Sequence, residues 1–163
     1  MKAHSYELKV EWTGNQGSGT RDYRSYDRAH TVTAGTKKSI AGSSDPAFRG
    51  DPDRWNPEEL LVSSVSQCHL LWYLHLATVA HIIVVSYHDD PVGTMTENPN
   101  GSGQFSEILL RPRVTVAEPS MRDTAQTLHE QVDEFCFIAR SVKFPVRCEP
   151  TTEVLSSGEI LVL

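Results

Sequence analysis

The stretch from Asn56 to Leu76 constrains the fold more than any other part of the chain. Asn56 suits an N-cap, Pro57 suits the first helical position, and Glu58 and Glu59 favour the positive end of a helix dipole. Leu61, Val65, Cys68, Trp72 and Leu76 then recur at helical spacing, which predicts a long and mostly buried helix. This helix is apolar around most of its circumference. One small sheet could hardly cover it alone, so the pattern points to a dimer in which helices are buried between two sheets.

The segments around the helix read as strands and turns. Tyr6 to Trp12 alternates apolar and polar residues at the period of a half-buried strand. The run Gly14 to Gly19 is rich in residues that accept positive φ and suggests a hairpin turn, with a second strand over Tyr23 to Ala34. Gly35 to Trp55 has loop chemistry, punctuated by Pro46, Gly50 and Pro52, and is long enough to suggest a functional or interface role. After the helix, Ile82 to Tyr87 is β-branched, Asp89-Asp90-Pro91 breaks it, Gly93 to Met95 resumes a strand, and Asn98 to Gly101 turns. Phe105 to Val116 reads as one further strand-like run. A second helix is expected from Ser120, with Asp123 in capping-box position and Met121, Ala125, Leu128, Val132, Phe135 and Cys136 on its apolar face. Phe144 to Val146 and Thr151 to Leu155 suggest closing strands. The predicted order is β-β-loop-α-β-β-α-β, an α+β arrangement in a single domain over 1–163.

Composition excludes several classes. A net charge of −6 and a pI near 5.6 argue against DNA or an anionic membrane as partner. The N-terminus has no apolar core or small-residue cleavage site of the export type. Leu60 to Tyr87, the longest apolar stretch, contains Gln67, His69, His75 and His81, which makes a membrane span a poor reading. Three cysteines are too few for a secreted disulfide scaffold, so a reducing cytoplasm is the expected setting. His75, His81, His88 and His129 have no finger-like spacing, so neither a metal nor a cofactor is expected. Walker, dinucleotide-binding and catalytic serine patterns are absent.

Cys68 and Cys136 each fall on or near the apolar face of a predicted helix. Composition and periodicity alone leave them as small hydrophobes filling core space. Their neighbourhoods say more. Asn56-Pro57-Glu58-Glu59-Leu60-Leu61, followed by Ser66-Gln67-Cys68-His69, closely resembles the first-cysteine signature of the OsmC/Ohr hydroperoxide-resistance family. Cys136-Phe137-Ile138-Ala139-Arg140-Ser141 resembles the second-cysteine signature, with Phe144-Pro145-Val146 after it. Asp89 to Thr94 and Leu110 to Val114 are similar to this family's connecting strands, so the resemblance runs from Glu11 to about Thr152.

The resemblance implies an intertwined homodimer whose sheets wrap the helices, and a peroxidase acting on organic hydroperoxides and, more weakly, hydrogen peroxide. Cys68 is then the attacking thiolate, Cys136 the resolving thiol, and a dithiol, with a lipoylated protein as one option, the reductant. It also implies an arginine in the first hairpin turn, held by Glu58. Glu58 precedes Cys68 by ten residues, roughly 15 Å along a helix, so it is expected to serve the partner's Cys68 across antiparallel helices. Gln16 occupies the arginine's place and supplies no charge. Arg21, Arg24, Arg28, Arg49 and Arg54 are the available replacements, with Arg24 and Arg28 ranked higher because they share a face in an extended strand. Cys148 matches no catalytic motif and reads as structural. Two other readings stay open: a non-catalytic dimer that binds a hydrophobic small molecule, and a thiol redox sensor.

Overall fold

The computed structural model describes residues 2–156. The chain forms two compact units, one ending at Leu61 and one beginning at Val62. In the first unit, β1 (Lys9–Trp12), β2 (His30–Thr33) and β3 (Ile40–Gly42) form an antiparallel sheet in that order. The expected hairpin is present, with Val10 opposite Val32 and Trp12 opposite His30. Its turn depends on Asn15, whose Oδ1 accepts from the Gly17 and Gly19 N–H groups at 2.9 and 3.1 Å. Both glycines have positive φ, 98° and 59°, which explains their placement.

The second strand is much shorter than expected. The Arg24 N–H donates to Asp22 Oδ1 at 2.8 Å and the Ser25 N–H to Asp22 O at 3.2 Å, so local turns replace extended pairing over these residues. The stretch read as loop contains β3 and a 3-10 turn at Pro46–Phe48 capped by Asp45. Three strand residues are too few to reveal a period. β1 is an edge strand exposed along its length, with Val10 67% and Trp12 44% exposed. Its alternation is real, but its apolar side stays uncovered.

Helix α1 (Pro57–Val79) starts where the sequence places it. Asn56 Oδ1 accepts from the Glu59 N–H at 2.8 Å, and Glu59 Oε2 accepts from the Asn56 N–H at 3.2 Å, a reciprocal capping box. At the other end the Ile82 N–H bonds to Ala77 O and the His81 N–H to Thr78 O, with His81 at φ 58°. This is a Schellman closure with histidine in the left-handed position that glycine usually occupies. The buried stripe of α1 is Val65, His69, Tyr73 and Ala77, while Leu71 and Val79 are exposed. Among the described residues, no helix is long and apolar enough to cross a membrane.

In the second unit, β4 (Val84–Asp89), β7 (Pro112–Val116) and β9 (Thr151–Val154) form one sheet in the order β4-β7-β9. β5 (Val92–Glu97), β6 (Gly103–Leu110) and β8 (Val146–Cys148) form another in the order β5-β6-β8. Neighbours pair antiparallel except β6 with β8 and β7 with β9, which are parallel. The run expected as one strand over Phe105 to Val116 therefore divides at Arg111 and crosses from one sheet to the other. Asp89 Oδ1 accepts the Arg111 N–H at 2.7 Å, giving the broken ladder a partner.

The second helix, α2 (Arg122–Phe135), begins later than Ser120. Pro119–Met121 form a 3-10 turn instead, and the Ser120 hydroxyl turns to Glu118, so no capping box forms with Asp123. Pro119 presets φ for the first residue of that turn. Ala125, Leu128, His129 and Val132 are buried on α2. Ala125, Leu128 and Val132 join Tyr73, Ala77, Val114, Val116 and Cys136 in the larger core, while Val65, Ile108 and Leu110 centre a smaller one.

Candidate functional site

Cys68 and Cys136 meet in the second unit. Cys68 lies on α1, half-buried and packed against the larger core. Cys136 is not inside α2, as its periodicity suggested. It caps the helix, with its N–H still donating to Val132 O at 2.9 Å and its backbone turned out to ψ 97°. That exit swings the chain into the turn at Ala139–Ser141, where the Ala139 and Ile138 amides are near enough to the Cys136 sulfur to favour its ionisation. The two thiols are close enough to influence each other's ionisation, and neither is in a disulfide. Burial, and then the Cys68 contact, push the Cys136 thiol up to about 11 against the opposing pull of the two amides. Cys136 therefore remains a protonated thiol at neutral pH.

Beside this pair opens an apolar pocket of about 390 Å³, lined by Cys68, Leu71, Trp72, His75 and Phe137. Trp72 forms its wall, stacked on Phe135 at 5.2 Å and edge-on to Phe137 and His75 at 5.6 Å each. The pocket is open to solvent on one side, with Phe137 68% exposed. In the sequence His75 reads only as a polar break in the apolar stretch, although it follows Cys68 by seven residues, which returns a helix to nearly the same face. Phe137 carried no period because it lies beyond the helix.

The other expected site residues belong to the first unit. Glu58 is in the first turn of α1, and its enclosed Oε2 has no hydrogen-bond partner among the described residues. Arg28 is engaged locally. Its guanidinium donates to Tyr26 O at 2.7 Å and Tyr23 O at 2.8 Å and stacks over both rings at 4.4 and 4.2 Å. Arg24 lies in the Asp22 turn, so the extended strand that was to give Arg24 and Arg28 a common face does not exist. Gln16 donates to the Asp27 carboxylate. None of the residues lining the thiol pocket is an arginine.

A second polar cluster lies in the core of the same unit. His69 Nε2 and His129 Nδ1 are 2.9 Å apart with the rings stacked, and His129 also stacks on Tyr73 at 4.1 Å. Cys148 Sγ is 3.7 Å from His69 Nε2. Burial holds both imidazoles neutral, His69 down to about 4 and His129 to about 3, and pushes the Cys148 thiol up to about 12. Three separate elements supply these residues, so no spacing rule reveals them.

Residues 50–151 match the family described as OsmC-like protein. No curated protein matches the sequence significantly. Among solved structures, the chain is similar to an OsmC-like protein of unknown function from Vibrio cholerae O1, at 29% identity and a TM-score of 0.82. That alignment covers 91% of this chain and 100% of the other. An organic hydroperoxide resistance protein from Elizabethkingia anophelis shares the fold at 13% identity and a TM-score of 0.67, covering 94% of this chain and 99% of the other. The organic hydroperoxide resistance protein OhrB of Bacillus subtilis does so at 16% identity and a TM-score of 0.59, covering 92% and 98%.

Proposed function

From the premise that this chain belongs to the OsmC-like protein family, which includes organic hydroperoxide resistance proteins, we propose that it is a thiol-dependent peroxidase for organic hydroperoxides. The observation that carries this reading is the Cys68–Cys136 contact at the edge of an open apolar pocket. The Cys68 thiolate attacks the distal peroxide oxygen, the O–O bond breaks, and the proximal oxygen leaves as an alcohol after taking a proton. Cys68 is left as a sulfenic acid. Cys136 condenses with it, forming the disulfide and releasing water, and an external dithiol restores both thiols by exchange.

Each group has a reason for its role. Cys68 lines the pocket and is the sulfur a substrate can reach, whereas Cys136 is 1% exposed. Cys136 stays protonated and can donate its S–H to a Cys68 thiolate, which supplies part of the stabilisation the missing turn arginine does not. The aromatic wall of Trp72 and Phe137 suits an alkyl or aryl hydroperoxide better than hydrogen peroxide. A homodimer in a reducing cytoplasm is part of this proposal. The exposed apolar residues Leu71, Val79 and Ile83, at 65, 64 and 51% exposure, support a second copy covering them, and the free thiols suit the compartment. In the assembled dimer, Glu58 with an arginine such as Arg24 or Arg28 is proposed to act on the partner's thiol.

The test is consumption of cumene hydroperoxide and hydrogen peroxide with a dithiol reductant by wild type, Cys68→Ser and Cys136→Ser. Turnover in wild type that Cys68→Ser abolishes supports the proposal, and no turnover in wild type refutes it. The apolar lining without a fixed cation favours a second reading, a dimer that binds a hydrophobic small molecule without reducing it. Saturable binding of cumyl alcohol by a wild type that lacks turnover would select that reading.

A further inference from the structure

We propose that His69, His129 and Cys148 form a binding site for a zinc-type divalent cation, distinct from the thiol pair and enclosed in the second unit. Their ligand atoms all lie within 4.8 Å of one another. A tetrahedral zinc ion with Zn–N of about 2.0–2.1 Å and Zn–S of about 2.3 Å separates two nitrogens by roughly 3.3 Å and a nitrogen and a sulfur by roughly 3.6 Å. The observed separations are 2.9 Å for His69 Nε2 to His129 Nδ1 and 3.7 Å for His69 Nε2 to Cys148 Sγ. The two nitrogens would part by a few tenths of an ångström, and His129 and Cys148, within 4.8 Å of each other, would approach by up to about 1.2 Å to close on the cation.

Two polar atoms at this cluster are unmatched among the described residues. One imidazole can donate to the other, but His129 Nε2 is enclosed with no partner among the described residues. The Tyr87 hydroxyl is likewise enclosed and unpartnered, and it is close enough to Cys148 for their charges to interact. A cation held by His129 Nδ1 would leave Nε2 unpartnered, so the site rests on the convergence of the three donor atoms rather than on these orphans. The nitrogen and sulfur donors select a borderline-soft ion such as zinc over magnesium or calcium. One nitrogen of the His69–His129 hydrogen bond carries a proton, which would move to the other nitrogen of its ring when both ligate. On binding, Cys148 releases its proton to solvent as the sulfur–metal bond forms. His69 follows Cys68 directly on α1, so a bound ion would also fix the helix turn that carries the reactive thiol.

The test is a titration of chelator-treated protein with cobalt(II), a spectroscopic substitute for zinc. Wild type and the Cys68→Ser/Cys136→Ser variant, in which Cys148 is the only thiol left, are both expected to bind one equivalent. Both should show a thiolate-to-cobalt charge-transfer band that one equivalent of zinc removes. Cys148→Ser should lose the band and bind zinc more weakly by more than the roughly 10–100-fold that an outer-shell loss costs. His129→Gln, checked for folding by circular dichroism, should also weaken binding. Failure of folded wild type to bind one equivalent overturns the proposal. So does a band that persists in Cys148→Ser or vanishes in the Cys68→Ser/Cys136→Ser variant. No arm depends on peroxidase activity.

Discussion

The Cys136 thiol, one residue past the end of α2, lies close enough to the Cys68 thiol on α1 for the two to interact. The contact joins the two helices through the only sulfur that lines the apolar pocket and a second one behind it. Under the proposed function, access divides the roles, with the attacking thiol on the pocket side and the resolving one covered.

That division should be visible in alkylation. Burial pushes Cys136 up to about 11 and Cys148 up to about 12, so both remain thiols near neutrality. Iodoacetamide at pH 7.5 (about neutral) should label Cys68 first in the reduced protein, as read by peptide mass spectrometry. Equal labelling of Cys136 under native conditions would contradict the assignment.

The aromatic wall should set substrate preference. Phe137 is exposed and edge-on to Trp72, so its truncation should disturb the pocket more than the core. Phe137→Ala should lower kcat/KM for cumene hydroperoxide about 10-fold, the equivalent of roughly 1.5 kcal/mol of lost apolar contact. Hydrogen peroxide, which has no apolar group to bind, should be reduced at nearly the same rate.

Acid should destabilise the metal-free protein through the histidine pair. His69 and His129 are depressed to about 4 and about 3 by burial, whereas unfolded imidazoles titrate near 6.5. The unfolded chain thus binds more protons below that value. The stability from this pair is fully present above about pH 6.5 and is lost as pH falls toward 4, with a slope approaching about 2.7 kcal/mol per pH unit if both take up protons. Urea unfolding of chelator-treated protein between pH 7 and pH 5 (about the span of the window) measures this. His129→Gln should roughly halve the slope, and a flat wild-type profile would rule out neutral buried imidazoles.

The end of α1 should be improvable. His81 holds φ 58° in an exposed Schellman closure, a conformation costly for any residue with a Cβ. His81→Gly should therefore raise stability by about 0.5–1 kcal/mol in urea unfolding, with no change in peroxide turnover.

The parts of this molecule that were legible in its sequence are those determined locally. Asn56, Pro57 and Glu59 marked the start of α1 because a capping box involves residues only three apart. The Asn15–Gly19 turn was legible because glycine alone readily takes its backbone angles. The start of α2 was misread because a serine and an aspartate at capping spacing lost to Pro119, which imposed a 3-10 turn. The Arg24–Arg28 face failed because Asp22 folds those residues into turns. Cys68 and Cys136 stood out through family signatures rather than periodicity. Nothing local could show that they touch, or that His69, His129 and Cys148 converge, because both groupings arise from packing between elements distant in the chain.

The central claim is that Cys68 and Cys136 form one redox pair, and disulfide mapping tests it most directly. Reduced protein is treated with one equivalent of cumene hydroperoxide, digested without reduction, and its linked peptides are identified by mass spectrometry. A Cys68–Cys136 linkage should form in nearly stoichiometric yield and revert with a dithiol, and Cys136→Ser should instead accumulate a trappable sulfenic acid on Cys68. An unmodified pair, or a linkage that runs through Cys148, would contradict the account.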